Sequence, residues 1–223
     1  MQPSNAPASR RFQSGEMSRS SERIGAVILA AGGSSRFGQP KQLIPFRGRT
    51  LVRRIIDAAC EADCSPVVVV TGSEDEKLHS ELDHANVVAV QNQKWQRGIG
   101  SSIRCGIEAL TNSSPDIAAS VLLVCDQPAV DARVIQSLIA LRETTGKSIV
   151  ASSYADTLGV PALFTRSVFE ELLLLDDKAG AKSIVLRSRE RVASFSFPKG
   201  QIDIDSWEDW EKLDGGALTT AGR

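Results

Sequence analysis

The stretch Ile24-Gly25-Ala26-Val27-Ile28-Leu29-Ala30-Ala31-Gly32-Gly33-Ser34-Ser35-Arg36-Phe37-Gly38-Gln39-Pro40-Lys41 decides the fold. Its first six residues are apolar and partly β-branched, the pattern of a strand buried on both faces, and they run straight into a glycine- and serine-rich loop. Working outward, similar short runs recur at Val67–Thr71, Val87–Val90, Val121–Val124 and Ile149–Ala151, each bounded by Gly, Pro, Ser or Asp. Between them lie helical stripes, Leu51, Val52, Ile55, Ile56, Ala59 and Val134, Ile135, Leu138, Ile139, each able to cover one sheet face. Strand then helix, repeated, reads as right-handed βαβ units. The expected class is doubly wound α/β, with a single Rossmann-like, mostly parallel sheet flanked by helices.

One folded unit is expected, from Ile24 to Leu213. Met1 to Arg23 is rich in Ser, Arg, Gln, Pro and Asn and has little to bury, and residues 214–223 likewise read as a disordered tail. Past Ser153 the rhythm breaks. Tyr154–Gly159 reads as a polar turn, Pro161–Phe164 as a short strand, Val168–Leu175 as a helix, with a second helix from Gly180 and a strand at Val192–Phe197. A last helix, Ser206–Leu213, has Ser206 as its N-cap with Asp209 three residues on.

Composition narrows the partners. Lys and Arg number 26 against 27 Asp and Glu, so no basic excess exists to neutralise nucleic-acid phosphates. No apolar run has the length of a membrane span, and residues 1–23 lack the apolar segment of a secretory signal. Cys60, Cys64, Cys105 and Cys125 match no zinc spacing and no C-x-x-C pair, and Cys60 and Cys64 read as small buried side chains. A cytoplasmic protein with small-molecule partners is expected.

The glycine-rich loop fails both the Walker pattern, since Gln39 follows Gly38, and the G-x-G-x-x-G dinucleotide fingerprint. It still supplies small residues that let backbone N–H groups approach phosphate oxygens, with Arg36 and Lys41 as fixed positive charges. Val121–Val124 leads through Cys125 into Asp126, which falls at the carboxyl edge of the sheet beside that loop. A carboxylate facing phosphates is a natural ligand for Mg²⁺, which takes one or two carboxylates and fills its octahedron with phosphate oxygens and water.

Leu29-Ala30-Ala31-Gly32-x-x-x-Arg36-x-Gly38-x-x-Lys41 resembles the signature loop of nucleotidyltransferases with a GT-A-like fold. Asp126-Gln127-Pro128 resembles the D-x-P of the molybdenum cofactor branch. Asn92-x-x-Trp95-x-x-Gly98-x-x-Ser101-Ser102-Ile103-x-x-Gly106 is similar to the corresponding stretch of its cytidylyltransferases. The resemblance covers roughly Ile24 to Leu213. It implies that Leu29, Ala30, Ala31, Gly32 and Gly33 make room for the nucleotide, that Arg36 and Lys41 hold its phosphates, and that Thr71, Asn92, Gly98, Ser101 and Ser102 complete the nucleotide site. Ser101 is also expected to cap the helix that begins there.

Ile202-Asp203-Ile204-Asp205-Ser206-Trp207-Glu208-Asp209 is similar to the family's closing D-x-D-T-P-E-D, which implies a second metal ligand, Asp205 before Asp203, beside Asp126. Gly159-Val160-Pro161 resembles its G-H-P, with Val160 where His is usual, and Gly180 with Lys182 falls in a segment similar to G-D-x-G-A-R. Gly159, Pro161, Gly180 and Lys182 are thereby implied in acceptor binding. The implied reaction is Mg²⁺-dependent transfer of CMP from CTP to the terminal phosphate of molybdopterin, with Lys41, Arg36 and Asp126 catalytic and a molybdenum hydroxylase apoenzyme or its chaperone as recipient. Guanylyl transfer, another phosphate acceptor and a non-catalytic cofactor chaperone remain open alternatives. His79 and His84 are given no chemistry, and Trp207 with Trp210 reads as a core-facing stripe.

Overall fold

The computed structural model describes residues 22–32, 38–72, 75–83 and 85–218. The strands are β1 (Ile24–Leu29), β2 (Pro45–Phe46), β3 (Arg49–Thr50), β4 (Val67–Thr71), β5 (Val88–Gln91), β6 (Ala119–Val124), β7 (Ile149–Tyr154), β8 (Thr157–Thr165) and β9 (Val192–Ser196). The helices are α1 (Leu51–Glu61), α2 (Asp75–Leu82), α3 (Ile99–Ser113), α4 (Ala132–Thr145), α5 (Phe169–Leu173), α6 (Lys182–Arg187) and α7 (Trp207–Leu218). Seven strands form one sheet in the order β5-β4-β1-β6-β8-β7-β9, and β2 with β3 makes a small separate hairpin.

The expected layers are present. Because side chains alternate across a strand, Ala26 and Ile28 of β1 face a core shared with α1, α2 and α4, while Val27 faces a core shared with α3, α5 and α6. Both faces of β1 and β4 are dry, which is why those runs read as continuous β-branched stretches rather than as alternating ones. A third, smaller core holds Ile44, Phe46, Leu51 and Ile204, with Trp210 and Leu213 against it. It fastens the β2–β3 hairpin to α7.

The pairs β5-β4, β4-β1, β1-β6 and β7-β9 are parallel, as expected. The difference lies at β8, a nine-residue strand wedged antiparallel between β6 and β7. The segment taken for a polar turn is mostly strand. The turn itself is only Ala155 and Asp156, both with left-handed backbone (φ 45° and 55°), the geometry of a two-residue hairpin. With no Gly or Asn in that turn, the usual hairpin signal is missing, and Thr157–Gly159 pairs back onto Ser152–Tyr154.

Other departures are local. The last helix continues to Leu218, beyond Leu213, where the sequence pattern ended it. Trp210 packs against the small core, whereas Trp207 is 40% exposed and meets Trp210 edge-on, so only Trp210 belongs to the core. Cys64 is buried as expected, whereas Cys60 is exposed at the end of α1. His84 and the His79 side chain lie outside the described residues, as do residues 1–21 and 219–223. Among the described residues, no helix is long and apolar enough to cross a membrane.

Candidate functional site

A cleft of about 370 Å³ opens at the carboxyl ends of β1 and β6, where open α/β sheets bind ligands. Leu29, Ala31 and Gly32 form one wall, Trp95, Gln96, Gly98, Ile99 and Ser102 the facing one, and Lys41, Gln42, Val124, Cys125 and Asp126 the floor.

The charged centre is at the floor. Lys41 Nζ donates to Asp126 Oδ2 at 3.0 Å and to Asp205 Oδ1 at 2.6 Å, so one ammonium bridges two carboxylates far apart in the chain. Lys41 is 17% exposed, Asp126 33% and Asp205 54%. Burial works to lower the Lys41 pKa, and the Asp126 and Asp205 carboxylates outweigh it, so the ammonium titrates above its ordinary value. Burial, then the fields of Asp126 and Asp205, push the Asp203 carboxyl up to about 6. Three acids around one ammonium carry surplus negative charge, which is the electrostatic condition for a divalent cation.

Among the described residues, no three Asp, Glu, His or Cys side chains form a closed metal cage. An ion such as Mg²⁺ uses one or two carboxylates and takes its other ligands from phosphate and water. Asp126 and Asp205 stand on either side of Lys41 Nζ, and Asp203 is close enough to feel both.

Local folding explains the convergence. Asp126 is placed by β6, and its backbone oxygen accepts from Ile204 N at 2.9 Å, which lays the 203–205 segment across the end of that strand. Ile204 is fully buried in the small core, so Asp203 and Asp205 on either side of it turn outward. Ser206 caps α7 as expected, its Oγ accepting from Asp209 N at 3.2 Å and donating to Asp209 Oδ2 at 2.9 Å. Trp210 Nε1 donates to Pro45 O at 2.7 Å, tying α7 to the hairpin that follows Lys41.

The opposite wall is built by Asn92. It is buried, and its Nδ2 donates to Ser101 Oγ at 2.9 Å and to Ser102 Oγ at 3.0 Å. Ser101 is committed internally, donating toward Lys94 O and Gly98 O, while Ser102 lines the cleft. Ser101 is therefore not the N-cap expected. α3 starts at Ile99 with Gly98 in the cap position at φ 134°, a backbone conformation suited to glycine.

Of the remaining residues singled out in the sequence, Ala30 is buried and gives its carbonyl to Gln42, and Thr71 is buried at the end of β4. Gly33 and Arg36 lie outside the described residues. Gly159 and Pro161 are buried within β8, and Gly159 touches the Tyr154 ring. Gly180 lies near Ile99 of the cleft wall, and Lys182 is exposed at the start of α6. These four do not line the cleft floor.

Two glutamines escaped the sequence reading. Gln42 is buried, and its Nε2 donates to Ala30 O at 2.6 Å and to Gly32 O at 3.1 Å, holding the ends of the glycine-rich loop's first turn. Gln127, beside Asp126, is equally buried. The available signal was an amide next to an implied functional residue in an otherwise apolar setting. Trp95 was noted only as part of a motif, and here it forms cleft wall.

Comparison with known proteins agrees with this geometry. Residues 26–192 match the family model described as the MobA-like NTP transferase domain. The chain is 31% identical to Rv0371c from Mycobacterium tuberculosis H37Rv, with a TM-score of 0.72 over 87% of this chain and 98% of that one. The same protein solved as a complex with manganese aligns at 29% identity and a TM-score of 0.68, over 86% and 98% of the two chains. Among curated relatives, nicotine blue oxidoreductase of Paenarthrobacter nicotinovorans is 30% identical over 135 residues, 60% of this chain and 64% of that protein. The bifunctional protein GlmU of Pelobacter propionicus is 31% identical over 131 residues, 57% of this chain and only 28% of its own length. The likeness thus spans less than two thirds of these curated relatives. The family match covers most of this chain, and the protein belongs to the MobA-like NTP transferase family.

Proposed function

We propose that this protein is a cytidylyltransferase that moves CMP from CTP to the terminal phosphate of molybdopterin and releases pyrophosphate, using Mg²⁺ held by Asp126 with Asp205 or Asp203. The observation that carries the reading is the Lys41 ammonium set between Asp126 and Asp205 on the floor of a cleft whose walls include Ala31, Gly32, Gly98 and Ser102. A carrier that only holds a cofactor has no need of such a metal-triphosphate floor. The Rv0371c protein, to which this chain is similar, is known as a complex with manganese, which supports the use of a divalent ion.

Mg²⁺, when bound, supplies Lewis-acid polarisation of phosphoryl oxygens and offsets charge developing between attacking and leaving groups. The acceptor's phosphate oxygen forms a bond to the α-phosphorus as the α–β bridging bond breaks, and its electron pair leaves with pyrophosphate. A phosphate monoester has its second pKa at about 6, so the nucleophile is already dianionic near neutrality and needs no general base. The absence of a catalytic His among the described cleft residues accords with that. Lys41 offsets negative charge on the phosphates, and Arg36 is assigned the same role from the motif. Ala31 and Ser102 line the cleft, Asn92 donates to Ser102 Oγ, and these residues are assigned to the base.

The test is pyrophosphate release by the purified protein with Mg²⁺ and molybdopterin, CTP and GTP side by side. Release with CTP alone supports the reading, preference for GTP makes the enzyme a guanylyltransferase, and no release with either overturns transfer to this acceptor. Asp126→Ala is expected to abolish release while leaving the fold intact, since only the backbone of Asp126 holds Ile204. An Asp126→Ala protein with near-normal turnover refutes the metal assignment.

A further inference from the structure

We propose that Gln127 is a positioning residue that seats the Asp203–Asp205 strap on the end of β6 and so sets the separation of Asp126 and Asp205. The inference rests on the metal-dependent reading above and adds to it a residue which touches neither nucleotide nor ion. Gln127 directly follows Asp126 and is 5% exposed. Its Nε2 donates to Val160 O of β8 at 3.2 Å and to Gly200 O, just before the strap, at 2.8 Å. One amide thus joins the end of β6, β8 and the segment that leads into the strap.

Its orientation is determined. Both amide hydrogens face carbonyl oxygens, and turning the group over would set oxygen against oxygen. Oε1 is left buried with no hydrogen-bond partner, an arrangement that hydrocarbon of the same shape would avoid. Tyr154 braces the same junction. Its hydroxyl donates to Val160 O at 2.9 Å, and its ring fills the space where a Cβ on Gly159 would lie 2.6 Å from Oη and one on Gly200 would lie 2.6 Å from Cδ1. The strap's other attachment to β6 is Ile204 N on Asp126 O. Beyond it Asp205 is half exposed and is also held by the Lys41 ammonium it shares with Asp126 and by Asp209 Oδ2 on its backbone N–H. Metal sites tolerate about 0.2 Å in ligand distance, so slack at Gly200 is felt at the ion.

Gln127→Met tests this, because it keeps the volume, removes both donors and removes the orphan oxygen. Mn²⁺ binding is read from loss of the free-ion EPR signal with CTP present, alongside Tm and steady-state pyrophosphate release. The expected result is a Kd for Mn²⁺ raised about 10- to 100-fold, the range for removing a group that orients metal ligands. kcat falls with it while KM for CTP stays within about threefold, the signature of lost transition-state stabilisation, and Tm is nearly unchanged. A folded variant with wild-type Mn²⁺ affinity and turnover overturns the proposal, as does a variant whose only defect is a lower Tm. If Gln127→Met does not fold, Gln127→Asn, one methylene too short to span both carbonyls, carries the same expectation. Failure of the underlying reading shows separately, in wild-type protein that binds neither Mn²⁺ nor CTP, and that result overturns both.

Discussion

Replacing Lys41 by Met isolates the charge at the centre of the site. The stem is kept and the ammonium between Asp126 and Asp205 is lost. At the 3.0 Å separation from Asp126, and in an effective dielectric of about 20, the gross attraction is about 5 kcal/mol. Solvent reduces it. Asp205 is 54% exposed, so that pair contributes at most about 1 kcal/mol. Asp126 is 33% exposed, and losing one partner of a fully buried pair costs about 3–5 kcal/mol, so a value nearer 2 applies to it. The sum is about 2–3 kcal/mol, equivalent to a Tm lowered by about 5–10 °C for a chain of this size. The variant also leaves three carboxylates without their shared cation, so added Mg²⁺ is expected to raise its Tm more than that of the wild type, by linkage. Differential scanning fluorimetry with and without MgCl₂ reads both effects. An unchanged Tm, or a drop that Mg²⁺ leaves untouched, refutes the view that this ammonium offsets the acids' mutual repulsion.

Three further outcomes are expected. Gly100→Ala, in the first turn of α3, ordinarily stabilises a helix, but here the added Cβ would stand 2.0 Å from Asp176 O, so a net loss of about 1–3 kcal/mol is expected, and denaturant melts showing a gain refute the packing. Glu171 accepts from Arg191 at 2.7 and 2.9 Å, and that hydrogen bonding holds its carboxyl below the usual range. Its contribution is therefore present above the ordinary carboxylate pKa and is lost as pH falls through the lowered folded value, so wild type and Glu171→Gln should differ by at most about 1 kcal/mol at pH 7 and converge in acid below that folded value. A gap that persists in acid shows that the pair is not its source. Thiol titration with an aromatic disulfide should label exposed Cys60 first and half-buried Cys105 more slowly. Cys64, pushed up to about 12 by burial, and Cys125, also raised by burial, should react only on unfolding; early loss of all four thiols refutes the burial assigned to them.

What was legible in the sequence is what depends on neighbours along the chain. The β-branched runs Ile24–Leu29 and Val67–Thr71 are strands in any context that buries both faces, and a strand emptying into Ala30-Ala31-Gly32 locates the cleft at the sheet's carboxyl edge. Asp126 was legible for the same reason, as an acid ending an apolar strand. Asp205 needed the likeness of its segment to a family pattern, since on local grounds it is also the residue before a helix cap.

The tertiary structure decided whatever joins distant segments. Lys41 meets Asp126 and Asp205 across 85 and 164 positions, and no periodicity encodes that meeting. Packing of Ile204, Phe46 and Trp210 into the third core does. β8 became an antiparallel strand through a turn of Ala155 and Asp156, whose positive φ no glycine announces and which long-range pairing to β6 and β7 enforces. Gln42 and Gln127 read as unremarkable polar residues because a buried amide's role depends on which carbonyls packing brings to it. Hydrophobic periodicity follows from burial and is written locally. Ion pairs and buried hydrogen bonds depend on separations of a few tenths of an ångström, which only the packed chain sets.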